Sequence, residues 1–254
     1  NKILETSYEK DGSEKLIYQD VAGVRVRYRK GGSIGDMYVT DFKRDENGHY
    51  VISSNGKPQM ETEANKMYTI YAGNMNSKWQ MGWSNTIKFK DFTLFFLING
   101  RIGGKVISLT EAYLDNLGLS KRTADARMNA EANKIIATEY GNDAGMVLPD
   151  GSGRIVPIKA YYQSIGGTPN PSQYIYNGTN FRLRELSLGY TFRNLLGENK
   201  NLTLSFIGRN LFFIYKDCPT DPDVSLSTTN GLGAFELFNM PTSRSYGFSL
   251  NINF

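Results

Sequence analysis

The last ten residues limit the fold of this chain more than any other stretch. Tyr246, Phe248, Leu250, Ile252 and the terminal Phe254 alternate with Ser245, Gly247, Ser249, Asn251 and Asn253. Successive side chains of a strand point to opposite faces, so one face here is wholly apolar and the other wholly polar or small. A soluble β-protein ordinarily carries Lys, Glu or Thr on its outward face, and few chains end on an aromatic residue. In a membrane barrel the apolar face meets lipid, the polar face meets a wet lumen, and aromatics gather at the interfaces. The terminal strand therefore predicts an all-β chain forming the C-terminal portion of a large antiparallel transmembrane β-barrel.

The same alternation recurs upstream. Trp79, Met81, Trp83, Ile87 and Phe89 share one phase, interrupted by Asn85, while Gln80, Gly82, Ser84, Thr86 and Lys88 take the other. A turn at Lys90–Asp91 leads to Phe92, Leu94, Phe96 and Ile98, which predicts a hairpin. A third strand is predicted over 180–192. Its early phase (Phe181, Leu183) gives way to Leu186, Leu188, Tyr190 and Phe192, which places a bulge near Arg184–Glu185. Leu202, Leu204 and Phe206 mark a fourth strand, and 243–254 the last. Val24, Val26 and Tyr28 alternate with Arg25, Arg27 and Arg29, and weaker strand candidates lie at 36–43 and 48–54. Connections near 90–91 and 193–200 are short, whereas 103–178 and 215–240 are long, the asymmetry between periplasmic turns and long extracellular loops. Within the longest span, Asn129–Tyr140 has the pattern of a short amphipathic helix.

Composition closes off several functions. No apolar run approaches the roughly 18 residues of a membrane helix, and a mean hydropathy of −0.41 does not separate a soluble protein from a barrel whose strands are half polar. The single Cys218 makes no internal disulfide, and the single His49, beside Gly48 in a predicted turn, builds no multi-histidine site. A net charge of +4, with basic residues dispersed among acidic ones, argues against nucleic acid. No cofactor and no enzymatic activity are expected. The chain begins at Asn1 without an initiator Met or signal peptide, and residues 1–254 read as one barrel segment of something longer.

In their order along the chain, several stretches resemble the C-terminal half of the SusC/RagA-type TonB-dependent outer-membrane transporters. They are Asn1–Leu4, Gly32–Tyr38, Gly73-Asn74 with Trp79 and Gly82, Phe92–Gly100 with Gly103, Phe181–Thr191, Gly208–Phe212, Asp221–Asp223, and Pro241, Arg244, Tyr246 with the final strand. The resemblance implies a plugged barrel of roughly 22 strands. It also implies import of glycan, oligosaccharide or peptide, a SusD-like surface lipoprotein as lid, and the TonB complex as energy source. About six to eight strands are expected here, with no plug and no TonB-contacting segment. An open sheet edge is not tolerated in lipid, so further strands are required.

Four tyrosines in the long span, Tyr161, Tyr162, Tyr174 and Tyr176, are candidate ligand contacts because aromatic faces stack on sugar rings and phenols hydrogen-bond; loop self-packing is the plainer alternative. Asp217, Asp221 and Asp223 are weak candidates for a calcium site, weighed against a Pro-fixed turn with solvated acids. Arg25, Arg27 and Arg29 form a basic stripe suited to an acidic substrate, or to a solvated face or carboxylates elsewhere in the protein. Arg184, Glu185 and Arg209 read as structural pairs, and Trp79 and Trp83 as interfacial girdle residues facing outer-membrane lipid. Gly31–Gly35 lacks the Lys and helix of a phosphate loop, and Asn177–Thr179 matches a chance glycosylation pattern. Tyr246, Phe248, Leu250, Ile252 and Phe254 would form the barrel-assembly signal. The rival fold is a soluble, secreted β-sandwich that binds carbohydrate through surface aromatics, with the apolar phases turned inward.

Overall fold

The computed structural model describes residues 2–10, 17–167, 170–195, 197, 198, 200–227 and 232–253; Asn1 and Phe254 lie outside the described residues. The chain divides into two compact units. One gathers residues 1–76, 105–176 and 225–239, and the other 77–104, 177–224 and 240–254.

The first unit opens with β1 (Ile17–Val21), β2 (Val24–Tyr28), β3 (Asp36–Val39) and β4 (Ile70–Asn74), which pair in sequence order in one sheet. The alternation of β2 has a local cause: Val24 and Val26 are fully buried with Met37, Val39, Ile107 and Phe235. This apolar phase meets protein, not lipid. The candidate 36–43 shortens to β3, and 48–54 forms no strand. Its place is taken by isolated bridges, Phe42 to Met60, Arg44 to Tyr50 and Ile52 to Pro58. The turns between them tighten at Gly48 and Gly56, which adopt φ of 82° and 78°. Asp45 accepts the backbone N–H groups of Asn47 and His49, so His49 does sit in a turn.

After the first two strands of the second unit, β5 (Trp79–Phe89) and β6 (Phe92–Ile102), the chain returns to the first through β7 (Lys105–Ser108) and three helices, α1 (Leu109–Asn116), α2 (Lys121–Asn133) and α3 (Ile158–Gly166). The long span is therefore ordered, not an irregular loop. The helix predicted at Asn129–Tyr140 begins earlier, capped by the Ser120 side chain, and stops where Lys134 turns left-handed with φ 52°. Behind it lie β8 (Ile136–Ala137), β9 (Asp143–Val147), β10 (Ile155–Pro157) and β11 (Ile175–Asn177). At Gly166 the backbones of α1 and α3 meet so closely that a Cβ would collide with the Ala112 carbonyl.

Asp150 fixes the turn between β9 and β10 to the bridged segment, accepting the Tyr50 N–H at 2.8 Å and the Ser152 hydroxyl at 2.6 Å. Burial alone would raise its carboxyl, but bonds from Ser152 and the backbone N–H of Tyr50, with Arg154 beside it, bring it down to about 2. A depressed carboxylate stabilises the fold above its ordinary pKa, and that stability is lost as pH falls through the folded value. Hydrogen exchange at the Tyr50 amide is therefore expected to accelerate between the ordinary value of 3.8 and about pH 2. In Asp150→Ala, which removes the acceptor, the amide should exchange fast at all pH; a protected amide there would refute the assignment.

The second unit is a single five-stranded antiparallel sheet. Besides β5 and β6 it contains β12 (Asn180–Phe192), β13 (Asn201–Lys216) and β15 (Ser245–Asn253); β14 (Phe235–Glu236) belongs to the first unit, parallel to β7. The strand order is β15-β13-β12-β6-β5, so every pair is adjacent in the meander. The hairpin of β5 and β6 turns on Lys90, at φ 54°, and Asp91, with Phe89 opposite Phe92. The predicted bulge lies where expected: register shifts between Leu183 and Glu185, leaving Arg184 unpaired in the ladder. β13 runs well past Phe206.

Candidate functional site

Register turns the separate alternations into one surface. Ile87, Leu94, Leu188, Phe206 and Phe248 lie directly opposite one another across all five strands. One row nearer the short turns stand Phe89, Phe92, Tyr190, Leu204 and Leu250. All ten side chains share a face. Its members are open to the surroundings, with Phe248 at 79% and Phe89 at 67% exposure. Rings crowd the short-turn end, where Phe92 and Phe192 each contact Tyr190 edge-on at 4.8 Å, while Trp79 and Trp83 lie toward the other end. On the opposite face the row Lys88, Thr93, Gly189, Ser205 and Ser249 is polar or small, and the next, Thr86, Phe95, Ser187, Ile207 and Gly247, is mixed.

A sandwich would cover that apolar face with a second sheet. Within this unit the described residues form only one, and the face stays bare. Burying one such Leu, Ile or Phe gains roughly 1.5–3 kcal/mol, so a band this wide demands an apolar surrounding. Both short connections, at Lys90–Asp91 and 193–200, leave the same end of the sheet. They are tied there by the Thr191 N–H to the Asp91 carbonyl and by Arg193 to the Asp91 carboxylate at 2.6 Å. Both long connections leave the opposite end.

At that opposite end charges concentrate. Arg182, only 3% exposed, donates to Asp221 at 2.6 Å and lies 3.7 Å from Asp223, with its guanidinium over the Phe213 ring. Thr242 closes on Asp221 as well. Burial would raise the Asp221 carboxyl, yet the bonds from Thr242, Arg182 and the Asp223 N–H outweigh it and hold it below the usual carboxylate range. Arg101 reaches Asp223 at 3.4 Å, and Arg184, freed by the bulge, bonds Asn210 at 2.8 Å. A cleft of about 320 Å³ opens beside this network, lined by Gln80, Asn99, Arg101, Asn180 and Arg184.

These contacts revise the acid candidates. Asp221 and Asp223 are neither solvated nor gathered for calcium, because arginines occupy their oxygens. Asp217 instead accepts the Asn177 N–H. No group of three or more acidic, His or Cys side chains with metal-holding geometry occurs among the described residues. The pairing of Arg209 with Glu185, at 3.0 Å, is structural as expected.

The tyrosines are revised too. Tyr161, Tyr162 and Tyr174 are 5%, 8% and 0% exposed, in the core built by α1, α3 and the bridged segment. Tyr161 and Tyr162 meet edge-on at 5.4 Å, and the Tyr174 hydroxyl donates to the buried Asp115 at 2.8 Å. Burial pushes the phenols of Tyr161 and Tyr174 well up. Their faces are spent on protein, so self-packing is the outcome for these three, while Tyr176 on β11 remains partly exposed. The first unit does offer a cleft of about 500 Å³ that sequence gave no hint of, between the ends of α1, α2 and α3, with Asn116, Arg127, Lys159 and Gln163 in its lining.

Comparison with known proteins agrees with the sheet. No family model matches the chain. Two TonB-dependent receptors of Formosa agariphila are similar to it. One is 22% identical over 253 residues, covering 89% of this chain and 23% of the relative. The other is 25% identical over 218 residues, covering 83% and 19%. Among solved structures, the RagAB peptide importer in its closed-closed and open-open states superposes with a TM-score of 0.54 in each. Identity is 16% and 15%, over 93% of this chain and 24% and 27% of those chains. Over this stretch the fold is that of the matched RagAB chain. The chain spans about a quarter or less of its receptor relatives. In the five-stranded sheet, β15 and β5 are the edge strands.

Proposed function

We propose that this chain is the C-terminal barrel wall of a SusC/RagA-like, TonB-dependent transporter that imports an oligosaccharide or peptide across the bacterial outer membrane. The apolar band running unbroken across five registered strands, backed by a mostly polar or small face, supports this reading more than any other feature. Transport in this scheme is mechanical and involves no bond chemistry by the chain. The wall and the long-connection end shape the path, a SusD-like lipoprotein covers it, and the TonB complex acts through other parts of the protein.

The test uses the full-length parent. Its outer-membrane fraction, extracted at alkaline pH and run on a gel with and without boiling, should stay in the pellet and shift in mobility. Release into the soluble fraction with no shift would overturn the barrel reading. We further propose that Tyr246 to Phe254 serve as the barrel-assembly signal. Deleting Phe254 is expected to lower the amount of heat-modifiable protein several-fold while leaving synthesis intact. Unchanged amounts would refute that role.

A further inference from the structure

The β1–β4 sheet has one face in the core; the other carries a cluster that neither the fold nor the proposed transport accounts for. Register places Asp20, Arg25, Tyr38 and Tyr71 in one row and Tyr18 with Arg27 in the next. Arg25 is neutralised, gripping Asp20 through two bonds of 2.7 Å. Asp36 is satisfied by neutral donors: the Ser33 N–H, the Tyr71 hydroxyl and the Asn74 amide. Although the Asp36 carboxylate stays close to the Arg29 stem, Arg27 and Arg29 make no ion pair among the described residues. Their guanidinium carbons lie 4.6 and 5.7 Å from the centre of the same Tyr38 ring.

Two polar atoms in this cluster are buried without a hydrogen-bond partner: Arg27 Nε and the Tyr38 hydroxyl, on a residue only 6% exposed. Buried donors left unpaired are rare and costly, and each marks a missing partner. Both can donate, and they stand beside two arginines that make no ion pair among the described residues, so an oxyanion would satisfy them. Tyr18 and Tyr71 flank them at 48% and 56% exposure; Arg25 covers one face of Tyr18 and Tyr38 packs on Tyr71, and what remains is ring surface beside the charge. Aromatic faces beside arginines match a carboxylated or sulfated sugar ring better than an acidic peptide, which offers no flat apolar face to stack.

We propose that Arg27, Arg29 and Tyr38 form a binding site for the oxyanion of an acidic oligosaccharide, with Tyr18 and Tyr71 bordering the sugar. The proposal deepens the import reading by naming a ligand class, but it requires only binding and is tested without transport. The probe is trigalacturonate, titrated calorimetrically into the purified full-length protein, with its methyl ester as the neutral control and triglutamate as the acidic peptide control.

Trigalacturonate should bind, weaken several-fold when NaCl rises from 50 to 500 mM as screening predicts, and outcompete both controls. Tyr38→Phe keeps the ring beneath the arginines and removes only the hydroxyl; affinity should fall about tenfold, the usual effect of losing one charge-assisted bond. Arg27→Gln with Arg29→Gln should abolish measurable binding, while Lys88→Gln on the five-stranded sheet leaves it unchanged. Equal binding of the methyl ester, preference for triglutamate, or wild-type affinity in Tyr38→Phe would each overturn the proposal. So would an unmoved affinity in a folded double variant, because the arginines would then be paired within the protein. A protein that binds trigalacturonate but fails the membrane test would sink the import reading and leave this site standing.

Discussion

Replacing Arg182 with Met in the full-length protein is expected to remove about 3–5 kcal/mol of stability, the usual consequence of breaking a buried ion pair from one side. Arg182 is 3% exposed and its partners Asp221 and Asp223 only 7% and 10%. Met fills much of the same volume, so the loss is dominated by Asp221 left without its cation, while Asp223 keeps Arg101 and Arg184. The urea midpoint of the heat-modifiable band measures it. Adding Asp221→Asn should restore part of the loss, because the two residues share one network. Arg209→Gln provides the contrast: that side chain is 60% exposed, and an exposed pair contributes about 1 kcal/mol at most. Equal shifts for the two arginines would mean that water reaches the Arg182 network.

Leu188→Arg carries the second large effect. Leu188 sits mid-row between Leu94 and Phe206, on the face assigned to lipid. An Arg at the bilayer midplane costs roughly 2–4 kcal/mol, falling to about 0–1 near the interfaces. Its neighbour Ser187 lies on the opposite face, so Ser187→Arg should be nearly neutral. The discriminating quantity is the ratio of folded protein recovered from the outer membrane for the two variants. If both arginines are equally harmful, the assignment of faces is wrong; if both are harmless, the sheet is not in a membrane.

What could be read in advance followed a physical rule. Strand phase is encoded residue by residue, so 79–98, 180–192, 202–206 and 245–253 were legible, and so was the bulge, because a phase flip is itself a sequence pattern. β13 was read too short because alternation breaks after Gly208, where Asn210 adopts φ 51° and the ladder shifts. α1 was missed although Ser108 and Glu111 have the spacing of a capping box, and Ser108 does accept the Glu111 N–H. Eight residues gave too little periodicity to outweigh the surroundings. The tyrosines and acids failed for another reason: burial of Tyr174 and the pairing of Asp221 depend on Asp115 and Arg182, 59 and 39 residues away. Neither partner leaves a mark in the local sequence.

The core that joins Val24, Val26, Ile107 and Phe235 has a consequence for the order of events during biogenesis. These residues come from three stretches of chain separated by sheet strands β5, β6, β12 and β13. Long-range contacts form slowly, because chain closure must come before they stabilise anything. Here closure also requires that all three stretches be present, and residues 225–239 follow only after β13. Until that last delivery Val24 and Val26 lack their partner Phe235. The unit must therefore be among the latest parts to set, and a chain stalled at β13 would hold paired strands beside a first unit whose core has not yet closed.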